Sequence, residues 1–347
     1  MLRDAFPTAA SAGFRMPAEW APHERCWMAW PCRTSMWGER LGEVQKNTAA
    51  VANAIAAFEP VTMLAQPADA DACRARCGGQ VTVLPVGIDD SWMRDSGPNF
   101  VVSKEGELAA SIFHFNAWGA KHAPWGRDAA VGHRVAEYLG IRTFTSTIFM
   151  EGGGVNVDGE GTLLTTEQCV LHPNRNPGLD RDSADQAFRD ALGVSRVIWL
   201  PGDPEDSETD GHIDGIACFV SPGRVLVELC PAKGTRRYDN TRANLEAVRG
   251  QADACGRTIE VETIDEAWEA TRTSEIFAGS YVNYYIANGA VIMPAFGIDR
   301  DADARATLAR LHADREIVQV DVTAIAFGGG GIHCMTQQQP VSGSAGI

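Results

Sequence analysis

Five times along this chain a helix-like stretch is followed within a few residues by a strand-like run, and that recurrence limits the folds open to it. Apolar residues fall near i, i+3, i+4 and i+7 at 43–59, 127–140, 181–193, 240–256 and 301–315, the spacing of an amphipathic helix. Several of these stretches end in Gly, the residue favoured where a helix stops in a left-handed turn. Strand-like runs follow at 61–65, 142–150, 196–201, 257–264 and 316–322, and others at 224–229 and 290–296 fill the gaps. The units are spaced irregularly, by roughly 50 to 85 residues, which suggests a radial or stacked α/β repeat. A doubly wound sheet is the alternative, since it too alternates strands with helices. No Pro/Ser-rich linker or low-complexity run divides the sequence, so residues 1–347 are expected to form one domain.

Four strands lead into unusually polar or glycine-rich loops: DDSWMRDSGP (89–98), EGGG (151–154), GDPEDSETDGHIDG (202–215) and FGGGGIHC (327–334). In a closed arrangement these loops converge on one axis and bring Trp92, Asp95, Glu151, His212, Asp214 and Cys334 into one pocket. Carboxylates around a thiol raise its pKa and blunt it as a nucleophile, unless the substrate itself brings positive charge. A guanidinium does so, being planar, permanently cationic and matched to bidentate pairing with carboxylates. The expected chemistry is attack of the Cys334 thiolate on the guanidinium carbon, with His212 donating a proton to the departing nitrogen. His212 then activates a water that hydrolyses the amidino-thioether to a urea. Glu151 orients His212, Asp95 and Asp214 bind the guanidinium, and Trp92 lies along an alkyl chain or stacks on the cation. The glycines before Cys334 permit close approach of backbone and sulfur.

Competing readings of these motifs are weaker. His212 and Asp214 could be a metal pair, but alternate residues suit a strand face and nothing nearby completes a zinc set. FGGGG lacks the Lys-Ser/Thr of a phosphate-binding loop, and Cys73 and Cys77 lack a second ligand pair. No metal or organic cofactor is required. A net charge of −15 and a pI of about 5.0 argue against nucleic acid or an anionic membrane as partner and leave room for a cationic small molecule. No run approaches the roughly 18 apolar residues that span a bilayer, and the N-terminus carries charges and prolines where a signal peptide needs an apolar stretch. Nine scattered cysteines do not form a disulfide framework, so a reducing, cytoplasmic setting is expected.

The stretches MPAEWAPHERCWMAWP (16–31), DDSWMRDSGPNFVV (89–102), FNAWG (115–119), EGGGVNVDGEGTLLTTEQCVLHPNRNP (151–177), ETDGHIDG (208–215), SYVNYYIANGAVIMPAFG (280–297) and GGGGIHCMTQQQP (328–340) resemble, in order and over nearly the whole chain, the agmatine deiminase family. That family belongs to the guanidino-group-modifying, or pentein, superfamily, with the bacterial-type peptidylarginine deiminases among its relatives. The resemblance implies a five-bladed α/β propeller and a hydrolase of polyamine (putrescine) biosynthesis. The implied reaction turns agmatine into N-carbamoylputrescine and ammonia through a covalent cysteine intermediate, with no cofactor. By the same resemblance Cys334 matches the nucleophile, His212 the acid/base, Glu151 its partner, Asp95 and Asp214 the guanidinium ligands, and Trp92 a substrate contact. Agmatine's far amine needs an anionic or carbonyl partner, for which Glu208 and Asp206 are candidates.

Local departures bear on the substrate. Gly331 stands where the family pattern has Asn, Gly154 where it has Ser, Asn156 where it has His, and the segment 264–280 is short. Other guanidines are therefore alternatives: free or peptidyl arginine, or a modified guanidino-amine. Arginine would need a cation for its carboxylate, and Arg94, Lys121, Arg127 and Arg175 lie near the motifs. Amidino transfer and non-catalytic guanidine binding are the remaining readings, and a homo-oligomer is left open.

Overall fold

The computed structural model describes residues 7–271 and 276–343, and in it the recurring unit is a hairpin, a helix and a returning third strand. Asn99–Ser103 pairs antiparallel with Leu108–His114, and Arg142–Phe149 returns parallel to the latter after a helical crossover. The same order recurs with Asn156–Val157, Thr162–Thr166 and Arg196–Leu200, with Ala217–Ser221, Arg224–Leu229 and Glu260–Asp265, and with Tyr285–Ala287, Ala290–Ala295 and Glu316–Asp321. A parallel third strand requires a crossover long enough to hold a helix, which is why each unit contains one. The remaining sheet is assembled from both ends of the chain. Thr336–Pro340 lies antiparallel to His23–Ala29, and Val61–Ala65 then returns parallel. Phe14–Arg15 and Val81–Pro85 each extend one sheet by a strand.

The described residues thus form five separate sheets of three or four strands, not the single continuous sheet of the doubly wound alternative. The five crossover helices are α1 (Leu41–Ala56), α2 (Val131–Leu139), α3 (Arg181–Leu192), α4 (Arg236–Val248) and α5 (Arg300–Leu311). In α3 the side chain of Asp180 accepts from the Ser183 amide at 2.9 Å, and Gly193 ends the helix at φ 69°. Its buried residues Ala184, Ala187, Phe188, Ala191 and Leu192 share one stripe, as the sequence periodicity predicts. α4 departs from the expected 240–256. Thr235 caps it a turn earlier by accepting from the Tyr238 amide, and extended backbone at Arg249 ends it. No helix among the described residues is long and apolar enough to cross a membrane.

In four of the five hairpins the first strand is entered through a tight turn, and these turns carry the polar motifs. Met93–Ser96 precedes Asn99, Gly152–Gly154 precedes Asn156, Ile213–Gly215 precedes Ala217, and His333–Met335 precedes Thr336. His212 and Asp214 therefore sit at a single 3-10 turn, not on the expected strand face. Their spacing of two places both inward because the turn reverses the chain between them and the strand that follows.

Candidate active site

Gly153 marks where the first three loops meet. A Cβ added there would lie 2.6 Å from His212 Nδ1, 2.8 Å from Asp95 Oδ1 and 3.0 Å from Asp214 Oδ2, so only glycine leaves room for these groups to close together. Asp95 is fixed from two sides: the Gly153 amide donates to Oδ1 and the Trp118 indole to Oδ2, both at 2.9 Å. Burial pushes its carboxyl up to about 6, with partial relief from His212 and further upward pressure from Asp214 and Glu151. His212 contacts Glu151 Oε2 through Nε2 at 3.2 Å. Its Nδ1 has no hydrogen-bond partner and lies 3.8 Å from Asp95 Oδ1. Burial opposes the imidazolium, but the Asp95 carboxylate and contacts with Cys169 and Glu151 outweigh it, so His212 titrates well above the usual range. Glu151 is wholly buried and receives Arg175 Nε at 3.1 Å.

The fourth and fifth loops supply the sulfur and its clamp. Cys334 Sγ lies 3.4 Å from Asp214 Oδ2 and 3.2 Å from Asn283 Nδ2. Asn283 Nδ2 also donates to the Asp214 carbonyl at 3.1 Å, and Oδ1 accepts the His333 amide at 3.0 Å, so one amide side chain ties three loops together. Burial, then Asp214 and Asp95, push the Cys334 thiol well above its ordinary range. Both shifts favour the protonated form, a thiol at Cys334 and an imidazolium at His212.

The cleft beside Cys334, about 110 Å³, is walled by His212, Asp214, Asp203, Glu205, Asp206, Glu208 and the glycine loop. A narrower arm runs between Trp92, Trp118, Met36 and His122 to the same sulfur. Trp92 is buried against Trp37, ring centroids 5.7 Å apart, and contact with both rings leaves no space for a side chain at Gly328. Glu208 receives His122 Nε2 at 2.9 Å, while Asp206 accepts the Glu208, Thr209 and Gly211 amides and so folds its own loop. A larger hollow of about 620 Å³, beside Arg142–Thr147 and α3, contains none of these groups.

The candidate cations are occupied or distant. Arg94 and Arg175 are buried against Glu19 and Glu151, Lys121 pairs with Asp210 at 2.8 Å, and Arg127 is exposed. Arg237, the one Arg or Lys in the cleft wall among the described residues, pairs with Glu266 and Asp203. Glu151, Cys169 and His212 bring ligand atoms within 4.8 Å of one another, but the Arg175 guanidinium already supplies positive charge to that cluster.

The departures from the family pattern have local causes. A Cβ on Gly331 would stand 2.5 Å from Asn283 Oδ1, and one on Gly154 would stand 1.9 Å from Met150 Cε. Asn156 accepts the Phe219 amide at 2.8 Å and donates to Glu19 at 3.3 Å. Of the short segment 264–280, residues 272–275 lie outside the described residues. The sequence reading did not single out Asn283, Trp118, His333, Glu19 or Cys169, and it offered Arg175 only as a cation for a substrate carboxylate, not as the partner of Glu151. It named four loops; Asn283 stands in a fifth, two residues before Tyr285 as Cys334 stands two before Thr336.

The Porphyromonas-type peptidyl-arginine deiminase family model matches residues 15–340. An agmatine deiminase of Pseudomonas aeruginosa (strain LESB58) is 41% identical over 357 aligned positions, covering 96% of this chain and 97% of its own. A solved agmatine deiminase of Enterococcus faecalis superposes with a TM-score of 0.93 at 32% identity, covering 98% of this chain and 99% of that one. DDAH from Pseudomonas aeruginosa, at 13% identity, a TM-score of 0.52 and coverage of 92% and 100%, shares the fold alone. A match this long, over the same loops that build the cleft, has one consequence: the chain belongs to the Porphyromonas-type peptidyl-arginine deiminase family.

Proposed function

We propose that the protein is an agmatine deiminase, a hydrolase that converts agmatine and water into N-carbamoylputrescine and ammonia. The observation that carries this reading is the closure of Asp95, Asp214 and His212 on one point, with Asp214 reaching the Cys334 sulfur. Burial and the carboxylates keep Cys334 a thiol; a planar cation between the carboxylates offsets their charge, so the thiol gives up its proton to solvent and the thiolate forms once substrate is bound. The thiolate adds to the guanidinium carbon. His212, already an imidazolium, gives a proton from Nδ1 to one terminal nitrogen, and the C–N bond breaks to release ammonia. Water, losing a proton to His212, adds to the S-linked amidino carbon, and cleavage of the C–S bond returns the thiolate and leaves the urea. Glu151 holds the imidazole through Nε2, and Trp92 and Trp118 flank the carbon chain.

Substrate choice follows from charge. Arginine would need a free cation for its α-carboxylate, whereas the cleft wall is acidic and the one Arg in it among the described residues is already paired. Glu208 is the proposed partner of agmatine's distal ammonium, because Asp206 is committed to backbone amides. The five sheets are proposed to be blades of one α/β propeller and residues 1–347 a single catalytic domain, a reading supported by the span of the family match. A cytoplasmic location suits seven buried and unpaired cysteines of nine. The test is incubation with agmatine and, separately, arginine, assaying ammonia and ureido product. Product from agmatine alone supports the reading; product from arginine alone keeps the chemistry and overturns the substrate, and no product from either overturns the agmatine reading and points to another guanidine.

A further inference from the structure

His333 immediately precedes Cys334, yet no step proposed above uses it. Its ring is 3% exposed and bridges two carboxylates, with Nδ1 2.9 Å from Asp214 Oδ2 and Nε2 2.9 Å from Glu19 Oε1. Both ring nitrogens therefore face acceptors, an arrangement that suits the doubly protonated imidazolium and leaves a neutral ring with a lone pair aimed at an anion.

The charged surroundings are few and identifiable. Glu19 faces Arg94 at 3.8 Å and Asn156 at 3.3 Å, and its carbonyl accepts from His23 Nε2 at 2.8 Å. Arg94 also donates to the His333 carbonyl at 3.3 Å. Asp214 faces the Cys334 thiol, and across Gly153 it faces His212 and Asp95. Burial and Arg94 oppose charge on His333, but Glu19 and Asp214 overcome them and raise its pKa. Burial works against the Glu19 anion as well, yet His333 and Arg94 hold its carboxyl at about 2.

A control lies within the same cluster. Asp95 is as buried as Asp214 but is held by an indole and a backbone amide, and its carboxyl rises to about 6. For Asp214 burial pushes upward too, but the His333 hydrogen bond and charge prevail and its carboxyl falls below the usual range. Two carboxylates that meet one substrate cation thus have opposite titration behaviour, and the leading difference is the His333 hydrogen bond and charge, with Arg94 adding to it.

The geometry points to Glu19, His333 and Asp214 as a buried charge relay in which His333, a positioning residue, keeps Asp214 ionised for the guanidinium. The inference rests on the proposed binding role of Asp214. It predicts that protonation of Asp95 alone limits kcat/KM on the acid side in the native protein. Without the imidazolium, Asp214 would titrate beside Asp95, and two protons would block binding.

The test is kcat/KM for agmatine against pH in the native protein, in His333→Asn, which can still donate to Asp214 without carrying charge, and in Glu19→Gln. The native acid limb is expected to fall about tenfold per pH unit and the His333→Asn limb about a hundredfold, the values for one and two protons. Activity of His333→Asn should recover as pH is raised, and Glu19→Gln should move in the same direction by less. A merely structural role would lower activity at every pH without changing the slope. Because His333→Asn could fail to fold, ring 15N shifts of the native protein give a second reading: His333 doubly protonated at neutral pH. A one-proton limb in folded His333→Asn, or a neutral His333 ring in the native protein, would overturn the relay. Failure of the functional reading is distinct, since the native protein would then yield no product from agmatine.

Discussion

Burial, and then the carboxylates beside it, hold Cys334 as a thiol, and the proposed mechanism therefore makes the substrate's charge part of the catalytic apparatus. In that mechanism Asp95 sets the working pH. Its carboxyl, raised to about 6, must be ionised to bind a cation, so kcat/KM should be level near neutrality and fall as pH drops through about 6. An acid limb centred near 4 in a pH–rate profile would remove Asp95 from that role. At the far end of the cleft, Glu208→Gln should raise KM for agmatine about tenfold while leaving butylguanidine, which lacks the distal amine, unaffected; the increment is that of one charge-assisted contact. Equal effects on both substrates would place Glu208 elsewhere in the mechanism. These residues were legible in the sequence because each stands in a polar loop where a carboxylate, imidazole or thiol has no packing reason to be. His333 and Glu19 were not, since both are buried and paired, and nothing in the letters IHC or PAEW separates such a pair from core filling.

Among the elements, the tight turns before four of the five hairpins do the positioning. Gly152–Gly154 is a 3-10 turn pressed against the other loops, and its middle residue has no room for a methyl group. Gly153→Ala should therefore displace His212 or Asp95 and lower kcat by about a hundredfold or more, the cost of misplacing an acid/base group by roughly 1 Å. Its thermal midpoint should shift far less than its activity, and calorimetry beside a rate assay separates the two. Native activity in Gly153→Ala would mean that the cluster has slack. The helix positions and the strands that follow them came from apolar periodicity, because burial of one stripe is a local property of the sequence. The end of α4 did not: periodic residues continue past Val248, but the chain turns at Gly250 and the Asp253 carboxylate folds the loop by accepting the Cys255 and Arg257 amides. Asn283 was missed for a related reason. The loop before Tyr285 is neither acidic nor glycine-rich, so its place in the recurrence is visible only once all five hairpins are aligned.

The whole molecule closes on itself through its ends. Thr336–Pro340 completes the sheet begun by His23–Ala29, with the Trp27 indole donating to Gln339 at 2.9 Å in the interior, and Cys334 hangs from the start of that strand. Removing residues 336–347 should abolish activity and broaden or lower the thermal transition, since the cut exposes one edge of the His23–Ala29 sheet and frees the nucleophile's anchor. A truncated chain with native melting behaviour would show that the closing strand is dispensable. Closure could be suspected from recurring units, but pairing between residues over 300 positions apart leaves no local signature, and only the assembled sheet reveals it. The acidity of the chain was legible from composition, and the cleft gives part of it a use: four of its wall residues are acids within one segment, 203–208.

The covalent step is the centre of this account, and acid-quenching the protein during turnover of agmatine, followed by mass analysis of its peptides, tests it most directly. The expected result is a transient amidino adduct on the peptide that carries Cys334, absent before substrate is added and absent from Cys334→Ser, which should still bind agmatine but release no ammonia. An adduct on another residue, or N-carbamoylputrescine formed by Cys334→Ser, would contradict it.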